Sequence, residues 1–235
     1  GKPEAALITG IAMTGGLYSN KSPLNLLAST PIAKVLREYD AIVVPANSKY
    51  RTLKQLMDDL VAKPNSVAIA GGSKGGIDHQ VIGLLAQKAS IDPTKLNYVV
   101  FSGGPEVITS VLSGSTQVGI SGSSEFNAFV SSGKLRVLGV SSAKALPGFK
   151  GKTFVSQGYD LVYGNWRGIM APADISKADY TNFIKVIDIM HISPSWQAQL
   201  KKNNWDNEFA AGTAFKAFLE KHIPEINKVM KGLGI

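Results

Sequence analysis

The hydrophobic residues of the chain form short apolar runs that alternate with segments of helical spacing. The clearest runs are residues 67–70, 98–101, 118–120 and 135–140, and a helical spacing of apolar residues follows at 78–89. Short apolar runs bounded by glycine or serine predict buried strands, whereas a repeat near 3.6 residues predicts helices. Repeated strand–helix–strand units predict an α/β fold with a parallel sheet and helices on both faces.

The two flanks of this central region differ from each other. Residues 5–8 and 41–44 are strand-like, and Thr52 with Gln55 forms a capping box at the start of a helical segment. One more strand is predicted at 168–170. Beyond it the spacing predicts mostly helices, at residues 178–190, 194–202 and 213–231.

The composition narrows the classes of function. The 235 residues are 44% hydrophobic, which allows a substantial core. Cysteine is absent, which excludes disulfides, thiolate metal sites and cysteine nucleophiles. The net charge is +8, but the basic residues are scattered and no zinc-finger spacing occurs, so nucleic-acid binding is not predicted. No apolar stretch approaches the roughly 20 residues of a membrane span, and no signal peptide is visible.

Small, flexible turns follow several of the predicted strands. They are Thr14-Gly15-Gly16, residues 71–76, Ser102-Gly103-Gly104-Pro105 and residues 121–124. Glycine lets a ligand approach the backbone, and helix N-termini offer unpaired N–H groups with partial positive charge. Because such turns gather at the carboxyl edge of an α/β sheet, we expect a small-anion site there. The expected ligand-binding residues are Thr14, Gly15, Ser73, Gly75, Gly76, Ser102, Gly103, Gly104 and Ser121. The alternative is that these are ordinary short α/β loops.

One of these turns also allows a different chemistry. The sequence from Gly71 to Gly75 matches G-x-S-x-G, the nucleophile elbow of α/β-hydrolases, with Ser73 as the nucleophile. A hydrolase also needs a histidine after a later strand. His79, His191 and His222 do not meet that requirement. A serine hydrolase acting through Ser73 is therefore only the second candidate function.

Neither a cofactor nor a metal is predicted. Residues 71–76 lack the Lys-Ser/Thr ending of a P-loop, because Ile77 and Asp78 follow. Asp78 and His79 are adjacent and would point in different directions on a helix. They are expected to orient the turn or reach a ligand hydroxyl. The alternative for Asp78 is helix capping and compensation of the helix dipole.

A further candidate site is Asn165-Trp166-Arg167. The planar guanidinium of Arg167 suits a carboxylate, and the Trp166 ring could form an apolar wall beside it. The alternative, which the sequence favours equally, is that Arg167 lies at the surface and Trp166 lies in the core without forming a site.

The chain resembles the solute-binding receptors of tripartite tricarboxylate transporters, the TctC or Bug family. The resemblance extends over nearly the whole chain through an ordered series of segments. These are residues 39–45, 70–79 (AGGSKGGIDH), 101–106, 112–114, 133–143 and 166–172 (WRGIMAP).

This resemblance implies a two-lobed Venus-flytrap fold of the periplasmic-binding-protein type II class, with mixed sheets. It also implies a non-catalytic, exported receptor, periplasmic or on the cell surface, that captures a citrate-like di- or tricarboxylate and passes it to membrane components of the transporter. By analogy, residues 1–44 and 156–235 form lobe one and residues 45–155 form lobe two. Family members carry an additional N-terminal strand–loop–helix unit, so we expect that the sequence is a truncated or incompletely recorded form.

Overall fold

A computed structural model describes residues 5–235 of the chain. By its contacts the chain divides into two compact units. Unit one combines the described residues up to Glu38 with Asn165–Lys228, and unit two combines Tyr39–Gly164 with Val229–Ile235. None of the helices in the described part is long and apolar enough to cross a membrane.

Unit one is built on a small sheet with several helices. Its strands are β1 (Leu7–Gly10), the first half of β2 (Thr30–Pro45), most of β7 (Gly164–Ala171) and β8 (Ala210–Ala211), and its helices are α1 (Ile11–Ser19), α6 (Lys177–Ile192), α7 (Pro194–Asn203) and most of α8 (Thr213–Gly232). β1 pairs antiparallel with β7, which lies next to β2, and β8 pairs antiparallel with β2. Buried Ile32, Leu36, Ile169 and Leu200 belong to its core.

Unit two contains the alternating strands and helices predicted from the sequence. Its elements are the second half of β2, α2 (Leu53–Ala62), β3 (Ala68–Gly71), α3 (Ile77–Lys88), β4 (Asn97–Val100), α4 (Gly104–Leu112), β5 (Val118–Gly122), α5 (Ser123–Ser131) and β6 (Leu135–Val140). β3 is parallel to β4 and β5, whereas β2 is antiparallel to β5 and β6. Its core includes Val43, Ala70, Val107 and Phe126.

Several local predictions can be compared directly with these elements. The capping box is confirmed, since the Thr52 hydroxyl accepts the Gln55 N–H and the Gln55 amide oxygen accepts the Thr52 N–H, both at 3.3 Å. The strand predicted at 41–44 is only part of the 16-residue strand β2. The strand predicted at 168–170 begins earlier, so residues 165–167 lie within β7 rather than before it.

The turn predicted at Thr14-Gly15-Gly16 is wrong, because these residues lie inside α1. The Thr14 hydroxyl is buried and donates to the Gly10 carbonyl oxygen one turn earlier, at 3.3 Å. A glycine lowers the stability of a helix by only about 1 kcal/mol relative to alanine. The burial of Ile11 and Thr14 therefore outweighs the low helix propensity of Gly15 and Gly16.

Candidate ligand-binding site

The carboxyl ends of three neighbouring strands meet at one edge of the unit-two sheet. β3 lies between β4 and β5 and is parallel to both, with Gly71 opposite Val100. The turns at 71–76, 102–105 and 121–124 therefore all begin at this edge, which we call the carboxyl edge. This is the convergence that the sequence predicted for these three turns.

Two backbone amides of the turn after β3 already donate hydrogen bonds within the protein. Gly75 has a φ of 75°, a left-handed conformation that favours glycine. Its N–H donates to Nδ1 of His79 at 3.2 Å, and the Gly76 N–H donates to the Ser73 carbonyl oxygen at 2.8 Å. A ligand would have to compete with these acceptors for the amides of Gly75 and Gly76.

His79 is held beneath this turn by an aromatic neighbour. Its ring stacks on Tyr98 with centroids 4.2 Å apart, and the Tyr98 hydroxyl donates to the Gly72 carbonyl oxygen at 2.8 Å. Burial, and then the positive charge of Lys74, lower the pKa of His79 to about 4. The imidazole is therefore neutral at pH 7, as its acceptor role towards Gly75 requires. Burial is also the main cause that raises the pKa of Tyr98.

Asp78 is a buried carboxyl at the first turn of α3. The Gly72 N–H donates to its Oδ2 at 2.7 Å. Burial raises the pKa of Asp78 to about 6. Hydrogen bonds from the Gly72 N–H and with the Asp40 side chain oppose this rise, and the negative charge of Glu125 adds to it. Part of the Asp78 population is therefore protonated in mildly acidic solution.

Carboxylates also lie at the other two turns. The Ser102 N–H donates to Oε2 of Glu106 at 2.9 Å, and the Ser121 hydroxyl donates to the Glu125 carboxylate. The Glu125 carboxylate also lies directly against Gly104, where the methyl group of an alanine would overlap it. Each turn at the carboxyl edge thus has one of the chain's own carboxylates beside its donors.

Unit one contains a separate polar cluster around Arg167. Its Nε and Nη2 lie 2.8 and 2.7 Å from Oε1 of Glu38, and Asn165 Nδ2 donates to the same oxygen at 2.9 Å. Asn165 Oδ1 accepts the N–H of Ile11, the first residue of α1, at 3.2 Å. The Arg167 side chain is 41% exposed, so part of its guanidinium faces solvent.

Trp166 does not form a wall beside Arg167, contrary to the prediction. It is completely buried and its ring meets Phe215 and Phe218 edge-on, with centroids 5.7 and 5.5 Å apart. Successive side chains of a strand point to opposite faces. Asn165 and Arg167 therefore share the polar face of β7, and Trp166 lies in the core on the other.

Sequence reasoning missed five residues at these sites: Glu38, Asp40, Tyr98, Glu106 and Glu125. Asp40 offered a signal, since it is a charged residue directly before the apolar run 41–44 of a buried strand. Glu125 stands in the first turn of the helix after the serine-rich turn, where a carboxylate also has a simple dipole role. Within residues 5–235, no group of three or more metal-ligating side chains is placed to hold a metal ion.

The sequence matches the family model described as the tripartite tricarboxylate transporter family receptor, TctC, over residues 17–235. The chain belongs to this family. The resemblance noted from the sequence is thereby confirmed, and the chain is a solute-binding receptor rather than an enzyme. The serine hydrolase alternative is therefore wrong. The receptors of this family act outside the cytoplasm, together with membrane components of a transporter.

Solved structures agree on the fold of this TctC receptor. The periplasmic binding protein BugD is 18% identical with a TM-score of 0.86, covering 99% of this chain and 79% of that one. MatC from Rhodopseudomonas palustris with bound malate is 13% identical with a TM-score of 0.84, covering 98% and 81%. An R. palustris protein with adipate is 17% identical with a TM-score of 0.79, covering 88% and 69%. No curated protein sequence matches the chain.

These structures confirm the predicted α/β fold of the two-lobed periplasmic-binding-protein class, with mixed sheets.

Proposed function

We propose that this TctC receptor captures a small organic di- or tricarboxylate, with citrate-like ligands as the first candidates, and delivers it to the membrane components of its transporter. The family match over residues 17–235 is the observation that carries the proposal. Malate and adipate in two proteins of the same fold support a carboxylate ligand. The receptor would work in the periplasm or at the cell surface.

The carboxyl edge would supply hydrogen-bond donors to this ligand. Ser73 and Lys74 are exposed at the tip of the turn after β3, and within residues 5–235 their amides have no backbone acceptor. The other donors in the proposal are backbone or hydroxyl groups of Gly75, Gly76, Ser102, Gly103, Gly104 and Ser121. Asp78 and His79 would hold the turn in shape through the amides of Gly72 and Gly75.

Unit one would contribute a cationic group. Arg167 can offer a charge-assisted hydrogen bond to a ligand carboxylate, with Asn165 beside it. Glu38 now accepts from both side chains, so ligand binding would replace or share this contact. In the proposal, lobe two is residues 45–155, and lobe one is residues 1–44 with 156–235.

A thermal shift panel of mono-, di- and tricarboxylates tests the function. A ligand present at 100 times its dissociation constant should stabilise the protein by about 2.7 kcal/mol. Absence of any shift across the panel, with a null result by calorimetry, would contradict carboxylate capture.

The role of Arg167 is tested by calorimetry with the ligand that the panel identifies. Arg167→Ala should weaken binding by roughly tenfold or more, because a hydrogen bond to a charged group contributes about 1.5–3 kcal/mol. Arg51→Ala, at an exposed arginine of unit two, is the control and should bind normally. Unchanged affinity in Arg167→Ala would remove this side chain from the site.

A further inference from the structure

Glu125 occupies an unusual position for an anion at a predicted anion site. It stands in the first turn of α5, and its carboxylate lies against Gly104 at the N-terminus of α4. A helix N-terminus carries partial positive charge and stabilises a nearby anion. The carboxylate of Glu125 thus takes the place at α4 that an incoming ligand carboxylate would otherwise occupy.

This carboxylate keeps capacity to accept further hydrogen bonds. An ionised carboxylate has about four lone-pair sites on its two oxygens. The Ser121 hydroxyl uses one of them, and no lysine, arginine or histidine of residues 5–235 forms an ion pair with Glu125. The residue is exposed to solvent. A donor group on a ligand could therefore reach it.

The surroundings make a second anion unfavourable at the same place. The negative charge of Glu125 helps to raise the pKa of buried Asp78, and the side chain of Asp40 forms a hydrogen bond with Asp78. Asp40 is placed there by strand register, since it pairs with Gly122 at the end of β5. A plain carboxylate group arriving beside Glu125 would meet like charge, whereas a hydroxyl or ammonium group would find an acceptor.

We propose that Glu125 is a specificity-determining residue that accepts a hydrogen bond from a hydroxyl or ammonium group of the ligand, so that the receptor prefers carboxylates bearing such a donor. The inference rests on the proposed carboxylate-binding function and narrows its ligand class. The carboxylates of the ligand would bind elsewhere among the donors of the site, and only the donor-bearing carbon would face Glu125.

Calorimetry with matched ligands tests this selectivity. Succinate, malate and aspartate share one carbon skeleton and differ by hydrogen, hydroxyl or ammonium at one carbon, and tricarballylate with citrate forms a second pair. We expect the wild-type protein to bind a donor-bearing ligand roughly tenfold more tightly than its plain analogue, as for a hydrogen bond to a charged group.

Glu125→Gln is the decisive variant because its side-chain oxygen can still accept from Ser121. Removing the charge should strengthen binding of the plain analogue roughly fivefold and reduce the preference to about threefold or less. If the ammonium ligand is preferred, its affinity should fall most. Glu220→Gln, the same change at an exposed position of α8, is the control and should keep the wild-type preference.

The outcomes distinguish a failure of the Glu125 proposal from a failure of the proposed carboxylate-binding function. Equal binding of plain and donor-bearing ligands by the wild-type protein would overturn the role of Glu125 and leave carboxylate capture standing. The same holds if Glu125→Gln is folded and keeps the wild-type preference. No binding of any of the five carboxylates to either protein would overturn both proposals.

Discussion

Asp78→Asn provides a quantitative test of the buried carboxyl at the carboxyl edge. Asp78 is 7% exposed, and burial raises its pKa from an ordinary value of 3.8 to about 6. Asparagine has nearly the same shape, and its side-chain oxygen can accept the Gly72 N–H while its amide donates to Asp40. The substitution therefore removes the ionisation of a buried group with little change in packing.

The sign follows from the protons bound in each state. Between pH 3.8 and about 6 the unfolded chain has lost the Asp78 proton while the folded protein keeps it. The stabilisation from this group is therefore present at low pH and is lost as the pH rises through about 6. The pKa of Asp78 rises by about two, and each unit of pKa corresponds to about 1.4 kcal/mol of stability. The upper limit of the effect is therefore near ~3 kcal/mol.

The measurement is urea unfolding of wild-type protein and Asp78→Asn at several values between pH 4 and pH 8. At pH 7 the variant should be more stable by about 1–3 kcal/mol, and near pH 4 the difference should largely disappear. Asp58→Asn, at an exposed residue of α2 paired with Lys54, is the control for removing a carboxylate and should not be more stable than the wild-type protein at pH 7. A variant that is less stable at pH 7, with an unchanged pH dependence, would refute the reasoning.

Three further predictions test other contacts of the structure. In Gly104→Ala the methyl group overlaps the Glu125 carboxylate, the far end of an exposed side chain that can turn away, so the free energy of unfolding should change by no more than about 1 kcal/mol. A loss of about 3 kcal/mol in urea unfolding would show that this carboxylate is fixed against Gly104; Gly16→Ala, which has open space, is the control and should not destabilise the protein. Trp166→Ala should cost about 3–5 kcal/mol as a large core deletion, and a loss below 1 kcal/mol would contradict its burial. The imidazole of His79 should titrate by NMR with a midpoint near pH 4, since burial lowers its pKa, and a midpoint near 6.5 would show that it is solvated.

The sequence by itself determined most of unit two and the family of the protein. Alternation of apolar runs with helical spacing predicted β3, β4, β5 and β6 with their helices, because these elements are set by local periodicity. The three turns at the carboxyl edge followed from the same alternation. Parallel neighbouring strands end at a common edge whatever the details of their packing.

The tertiary structure alone decided which side chains face these turns. Glu38 and Asp40 share one strand, yet Glu38 contacts Arg167 and Asp40 contacts Asp78, and those partners lie far away in the sequence. Trp166 is a core residue because strand pairing, not sequence order, fixes which face of β7 meets α8. Local periodicity sets the elements, but register and packing between distant segments decide which charges come together.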